Sequence, residues 1–193
     1  MIIGLTGGIA SGKTTVSNYL KKLGAEVINT DNITHNLLKK GNQGWFKVIN
    51  CFGSFILTES GEIDRIKLGK IVFNNSIKLK KLENILHPLI INIVKKKINK
   101  ISDSKSVIVE VPLLYEVRME EMFDQVWVVY IDRQTQIKRA AERSNLSEKD
   151  IKNRMKFQIP LDVKKNRADL VIDNKGTEKD LKDKLYNIWK KFH

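Results

Sequence analysis

Close to its start the chain carries Gly7-Gly8-Ile9-Ala10-Ser11-Gly12-Lys13-Thr14, a match to G-x-x-x-x-G-K-[ST]. The stretch lies between a short apolar run, Ile2-Ile3-Gly4-Leu5, and a segment with Val16, Tyr19, Leu20 and Leu23 at helical spacing. The run reads as a buried parallel strand, and residues 14–23 as a helix that Gly24 ends. Gly7 and Gly12 allow backbone angles that other residues resist, so successive N–H groups can turn inward around an anion. The helix points its positive end at the same place. With glycine near 7% of residues, the pattern arises by chance in roughly one chain in a hundred of this size. The loop is therefore read as a cradle for a nucleoside triphosphate, formed by Gly7, Gly8, Ala10, Ser11, Gly12, Lys13, Thr14 and Thr15. Lys13 supplies a mobile charge for the β and γ phosphates, and the Thr14 hydroxyl is the candidate ligand for Mg²⁺.

Further strand patterns occur at 25–29, 107–111, 126–131 and 170–173, the middle two almost continuously apolar and β-branched. Helical patterns fall at 135–143 and 147–157, where Ser147 and Asp150 resemble a capping box. A terminal helix beginning at Thr177 carries Leu181, Leu185, Ile188, Trp189 and Phe192. Strands alternating with helices predict an α/β fold, a parallel sheet flanked by helices. From 32 to 101 the pattern is mostly helical, interrupted near Gly41, Gly53, Gly61 and Pro88. That stretch is too long for a simple crossover and is read as an inserted helical subdomain, with Trp45, Phe46, Phe52 and Phe55 in its core.

The net charge is +13, from 35 basic and 22 acidic residues. A polyanionic partner is one reading; the other is codon drift in an AT-rich genome, which leaves lysines on solvated helix faces. The single cysteine, Cys51, excludes an intrachain disulfide. No apolar run approaches the roughly 20 residues of a membrane span. The N-terminus lacks a secretory pattern. A cytoplasmic protein without membrane attachment is expected. Three scattered His and one Cys make no credible zinc site.

A GTPase would carry N-K-x-D; Asn174-Lys175-Gly176-Thr177 lacks the aspartate. A phosphotransferase acting on a small molecule fits better. Asp31 follows the second strand, at the carboxyl edge where open α/β sheets bind ligands. It either takes the proton of an attacking hydroxyl or caps the helix beginning near Ile33.

Taken together, the residues resemble the dephospho-CoA kinase family, nearly end to end. Leu5-Thr6-Gly7-Gly8-Ile9 and Ser11-Gly12-Lys13 are similar to its opening, and Asp31 with His35 and Leu37 to its second motif. Gly44-Trp45, Phe52-Gly53, Gly61-Glu62-Ile63-Asp64-Arg65 and Leu86-His87-Pro88-Leu89-Ile90 match the inserted region. Val111-Pro112-Leu113-Leu114-Tyr115-Glu116, Arg139, Arg143, Gln158, Pro160, Arg167-Ala168-Asp169 and Ile172-Asp173-Asn174 match the remainder. The resemblance implies a P-loop kinase fold with a core of 1–31, 106–134 and 165–193. It implies a helical CoA-binding subdomain at 32–105 and a helical lid at 135–164. It further implies transfer of the ATP γ-phosphate to the 3′-hydroxyl of dephospho-CoA, with Asp31 as base and Lys13, Arg139 and Arg143 serving catalysis. Asp31, His35, His87, Pro112 and Leu113 are the candidate contacts to dephospho-CoA, in a monomer or small homo-oligomer. Three positions depart from the family: Asn29 and Glu110 where Asp is common, and Ala10 where Gly is frequent. Asn29 is expected to alter Mg²⁺ or water ordering more than chemistry. Glu110 is long enough to reach a metal-bound water, and Ala10 is tolerable if its φ is negative.

Five of the seven arginines fall between 133 and 167 in a chain that otherwise prefers lysine. Planar bidentate recognition is the reading, and Arg139 and Arg143, four apart, share a helix face. Either that face meets the triphosphate, or these arginines pair with Glu142, Glu148 or Asp150. His87 precedes Pro88, which biases it away from helix; it contacts substrate or marks a helix boundary. His35 is likewise a substrate contact or a structural residue. Two competing functions are a nucleoside monophosphate kinase and a basic nucleic-acid-binding ATPase. No RNA-binding signature supports the second, and no nucleic-acid partner is expected.

Overall fold

The computed structural model describes residues 1–102, 104–143 and 147–192. Its contacts divide the chain into two units, Met1–Ile28 with Lys100–His193, and Asn29–Asn99.

The first unit is built on a five-stranded sheet of β1 (Ile2–Gly7), β2 (Glu26–Asn29), β3 (Val107–Glu110), β4 (Gln125–Tyr130) and β5 (Leu170–Asp173), in the order β2-β3-β1-β4-β5. β1 runs parallel to β3, pairing Leu5 with Glu110, and parallel to β4, pairing Gly7 with Val129; β4 runs parallel to β5. The order reverses at β1, so the crevice at its carboxyl end is a topological switch point. β1, β3 and β4 are buried almost throughout because helices cover both faces, which is why these strands read as continuous apolar runs. On one face α1 (Lys13–Lys22) packs with α9 (Glu178–Trp189). Ile3, Leu5, Val16, Leu20, Trp127, Ile172 and Leu185 interlock there with little or no exposure. Each such side chain contributes roughly 1.5–3 kcal/mol by leaving water. A Cβ on Gly4 would stand 2.6 Å from Phe123 and 2.7 Å from Leu114, so the backbone of β1 lies directly against the side chains covering it.

Between β4 and β5 lie α6 (Arg133–Arg143), α7 (Glu148–Lys156) and α8 (Leu161–Asn166). Residues 144–146, within the expected lid, lie outside the described residues. Ser147 caps α7, accepting from Asp150 N–H at 3.1 Å while its hydroxyl donates to the Asp150 carboxylate at 2.6 Å. The complete reciprocal box is at the start of α9, between Thr177 and Asp180.

The second unit holds α2 (Thr30–Leu37), α3 (Gln43–Phe52), α4 (Arg65–Phe73) and α5 (Ser76–Ile98), with a 3-10 turn at Ser54–Ile56. Val48, Ile56, Ile63, Leu68, Val72 and Leu86 form its core, and Trp45 and Phe52 pack on it. Two expectations fail here. Phe46 and Phe55 are 53% and 57% exposed, because a unit this small turns only one face of each element inward. Pro88 interrupts nothing: α5 runs straight through it, and His87 is helical. The proline costs that helix a hydrogen bond, but α5 packs against α2, α3 and α4, and tertiary burial overrides the local penalty.

Candidate active site

β1 delivers the chain into the loop at Gly7, and Gly12 starts α1 from a left-handed conformation, φ 95°. The loop is enclosed. A Cβ on Gly7 would meet Ser11 Oγ and Val129 O at 2.6 Å, one on Gly8 would run into Gln136 Nε2, and one on Gly12 into Asn174 Nδ2. Asn174 donates to Ser11 O at 2.8 Å, and Gln136 donates to Ile9 O at 3.2 Å. Ile9 N–H donates to Gln158 Oε1 at 3.1 Å. Ala10 sits at φ 55°, in the left-handed region, so the condition of a negative φ is not met. The loop geometry needed there is the one glycine would adopt freely.

Lys13 Nζ donates to Gly8 O at 2.9 Å and Gly7 O at 3.2 Å, so the ammonium is folded over the loop. The Thr14 hydroxyl donates to Glu110 Oε1 at 2.8 Å, and Ser17 donates to Glu110 Oε2 at 3.0 Å. Glu110 is 2% exposed and stands beside β1 at the carboxyl end of β3. Its side chain reaches the Thr14 hydroxyl. A hydroxyl and a carboxylate are hard oxygen donors, the set that suits Mg²⁺. Among the described residues no group of three or more His, Cys, Asp or Glu could hold a metal ion. Any cation here would share its coordination with phosphate oxygens and water. The Ser11 hydroxyl is buried with no hydrogen-bond partner among the described residues, an orphaned polar atom inside the loop.

Of the arginines, Arg139 is half-buried on α6 and donates to Asn174 O at 3.1 Å, so it braces the residue that holds the loop. Arg143, in the last turn of α6, is exposed. Of the acids suggested as their structural partners, Glu148 pairs with Lys152 and Asp150 takes the Ser147 hydroxyl. Arg167 pairs with Glu120 and lies over the Tyr115 ring, 4.4 Å from its centre. Burial first, and then the acids nearby against the opposing pull of Arg167, pushes the Tyr115 hydroxyl up to about 12.

Two groups escaped sequence reading. Gln136 occupies the inward stripe of α6 with Ala140 and is 4% exposed; a polar residue on a buried stripe is the only signal it gave. Lys164 is fully buried, pairing with Glu116 at 2.8 Å and donating to Pro112 O at 3.1 Å. Burial lowers its pKa, opposed by the Glu116 carboxylate. In a chain this rich in lysine nothing local distinguishes one buried ammonium. Pro112 O also accepts from Thr6 Oγ1 at 3.3 Å, so that carbonyl is held from two sides, while Leu113 beside it is half-buried.

In the second unit, Asp31 is exposed in the first turn of α2. It is not the cap. Asn29 is, its side chain accepting from Asn32 N–H at 3.0 Å, because the helix starts at Thr30, earlier than its apolar spacing suggested. His35 lies one turn beyond, and Arg65 Nη1 is 2.7 Å from its Nδ1. A guanidinium only donates, so Nδ1 accepts and the ring proton sits on Nε2. His87 is half-buried on α5; burial lowers its pKa, with Glu83 opposing and Lys80 adding to the shift.

The sequence model of the dephospho-CoA kinase family matches residues 1–180. A dephospho-CoA kinase of Carboxydothermus hydrogenoformans is 43% identical over 193 residues, covering 99% of this chain and 94% of that relative. One from Arabidopsis thaliana is 44% identical over 189 residues, covering 97% and 82%. The solved dephospho-CoA kinase from Campylobacter jejuni superposes with a TM-score of 0.73 at 30% identity, over 99% of this chain and 96% of that one. The parallel sheet with its glycine loop at the switch point is a P-loop kinase fold, and the chain belongs to the dephospho-CoA kinase family.

Proposed function

We propose that this chain transfers the γ-phosphoryl group of ATP to the 3′-hydroxyl of dephospho-CoA, releasing CoA and ADP. The observation that carries the reading is the glycine loop between β1 and α1, with its Thr14 hydroxyl on the Glu110 carboxylate, in a chain of this family. The loop amides and the positive end of α1 hold the phosphates, with Gly7, Gly8, Ala10, Ser11, Gly12, Lys13, Thr14 and Thr15 around them. Lys13 leaves the Gly7 and Gly8 carbonyls for the β and γ phosphates. Thr14 would hold Mg²⁺, with Glu110 orienting its hydroxyl and reaching a metal-bound water, and the ion would supply charge neutralisation for the phosphates. Asp31 takes the proton of the attacking hydroxyl, and the exposed Arg143 meets charge developing on the transferring group. Arg139 supports that face through Asn174. Residues 32–105 hold dephospho-CoA with His35 and His87 among the contacts, Pro112 and Leu113 are further contacts to it, and 135–164 act as the lid. The reading includes a cytoplasmic location; among the described residues no helix is long and apolar enough to cross a membrane.

A coupled ADP-release assay across acceptors tests this. Dephospho-CoA should give fast turnover, and AMP and nucleosides none. Lys13→Ala should abolish transfer, and Asp31→Asn should lower kcat with little change in KM, because the base acts in the transition state. Turnover with AMP in place of dephospho-CoA would overturn the assignment.

A further inference from the structure

Ala10 holds a backbone conformation that L-residues resist, φ 55°, inside the loop that must fit the phosphates. The peptide groups before it are gripped from both sides. Ile9 N–H donates to Gln158 Oε1 at 3.1 Å, and Ile9 O accepts from Gln136 Nε2 at 3.2 Å. Neither glutamine belongs to the loop. Gln136 is buried on α6 against Gly8. Gln158 lies between α7 and α8, and its neighbour Ile159 donates N–H to Glu116 Oε1 at 2.8 Å. Glu116 is itself held by the buried Lys164. The grip on Ile9 is thus anchored in the packed body of the first unit.

We propose that Gln136 and Gln158 are positioning residues that clamp the Ile9 peptide groups, hold Ala10 left-handed and so preset the phosphate loop for nucleotide. Without the clamp Ala10 relaxes to negative φ, and nucleotide must restore the strained form on binding. Glycine at position 10 adopts positive φ without that cost. The clamp should therefore matter when residue 10 is alanine and matter little when it is glycine. This inference rests on the reading of Gly7–Thr15 as the nucleotide site.

The test is a double-mutant cycle on the full chain, reading the Kd of ADP by calorimetry. Gln158→Ala should weaken ADP binding about tenfold, the order of the left-handed penalty for an L-residue. It should raise KM for ATP in parallel and leave KM for dephospho-CoA unchanged. With Ala10→Gly in both arms, the effect of Gln158→Ala should shrink to about threefold or less, whatever Ala10→Gly does alone. Gln136→Met, similar in volume but without the donor, gives a second cycle with the same expected coupling. Equal losses in the alanine and glycine backgrounds, or no loss at all, would overturn the proposal while leaving the nucleotide site intact. Failure of the unmutated chain to bind ADP would overturn the site and the proposal together.

Discussion

Replacing Glu110 with Gln probes the junction between loop and sheet. The carboxylate is 2% exposed and accepts hydroxyl protons from Thr14 at 2.8 Å and Ser17 at 3.0 Å. Glutamine has the same shape but only one acceptor oxygen, so one hydroxyl must turn and accept from the new amide. Ser17 can do this, since its hydroxyl also lies 3.2 Å from Thr14 O and keeps a place for its proton. Two charge-assisted bonds thus become two neutral ones. At about 1.5–3 kcal/mol for the first kind and about 0.5–1.5 for the second, the loss is about 2 kcal/mol. In a chain of this length that lowers Tm by roughly 4–8 °C, and the protein stays folded. The functional loss should be larger, because removing a group that orients a metal ligand typically costs about 10- to 100-fold in metal affinity or activity. Coupled ADP release against free Mg²⁺, with ATP and dephospho-CoA saturating, should show a half-saturating Mg²⁺ concentration raised at least about tenfold, or kcat lowered to a similar degree. Glu110→Asp keeps the charge but is one methylene shorter, and should lose less. A folded Glu110→Gln variant with the unmutated Mg²⁺ response and turnover would refute a metal-supporting role for this carboxylate.

Arg143→Lys should cut turnover at least about tenfold with Tm unchanged, since lysine keeps the charge but not the planar fork; a normal rate would remove Arg143 from the chemistry. Lys164→Met strands Glu116 in a mostly buried setting and should cost about 3 kcal/mol, a drop of roughly 6–12 °C in Tm by circular dichroism. Adding Glu116→Gln should recover part of that drop; equal Tm values in all three proteins would show the pair to be inert. His87 gives a pH dependence of known sign. Burial lowers its folded pKa below the ordinary 6.5, so the unfolded chain takes up the proton first. The stabilising effect of a neutral His87 is present above that value and is lost as pH falls toward the lowered one. Tm should therefore fall more steeply from about pH 7.5 to about pH 5.5 in the unmutated protein than in His87→Gln, and parallel profiles would exclude the contribution.

Much of this protein was legible in its residues because the determining interactions are local. The glycine loop, the helix after it and the β-branched strands announce themselves through backbone preference and periodicity over a few neighbours. Ser147 and Thr177 start their helices for the same reason. Other features were set only when distant segments met. The strand order that puts Glu110 beside Leu5, and so within reach of Thr14, leaves no mark within either segment. Pro88 sits inside α5 because burial against three helices outweighs a local bias, and Asn29 rather than Asp31 caps α2 because the helix begins where β2 hands over the chain. Ala10 is left-handed through a grip on Ile9 from residues far along the chain, and Lys164 is buried because a carboxylate and a carbonyl from the loop after β3 converge on it. Propensity acts within a turn or two of chain, whereas burial, strain and charge pairing are properties of the packed whole.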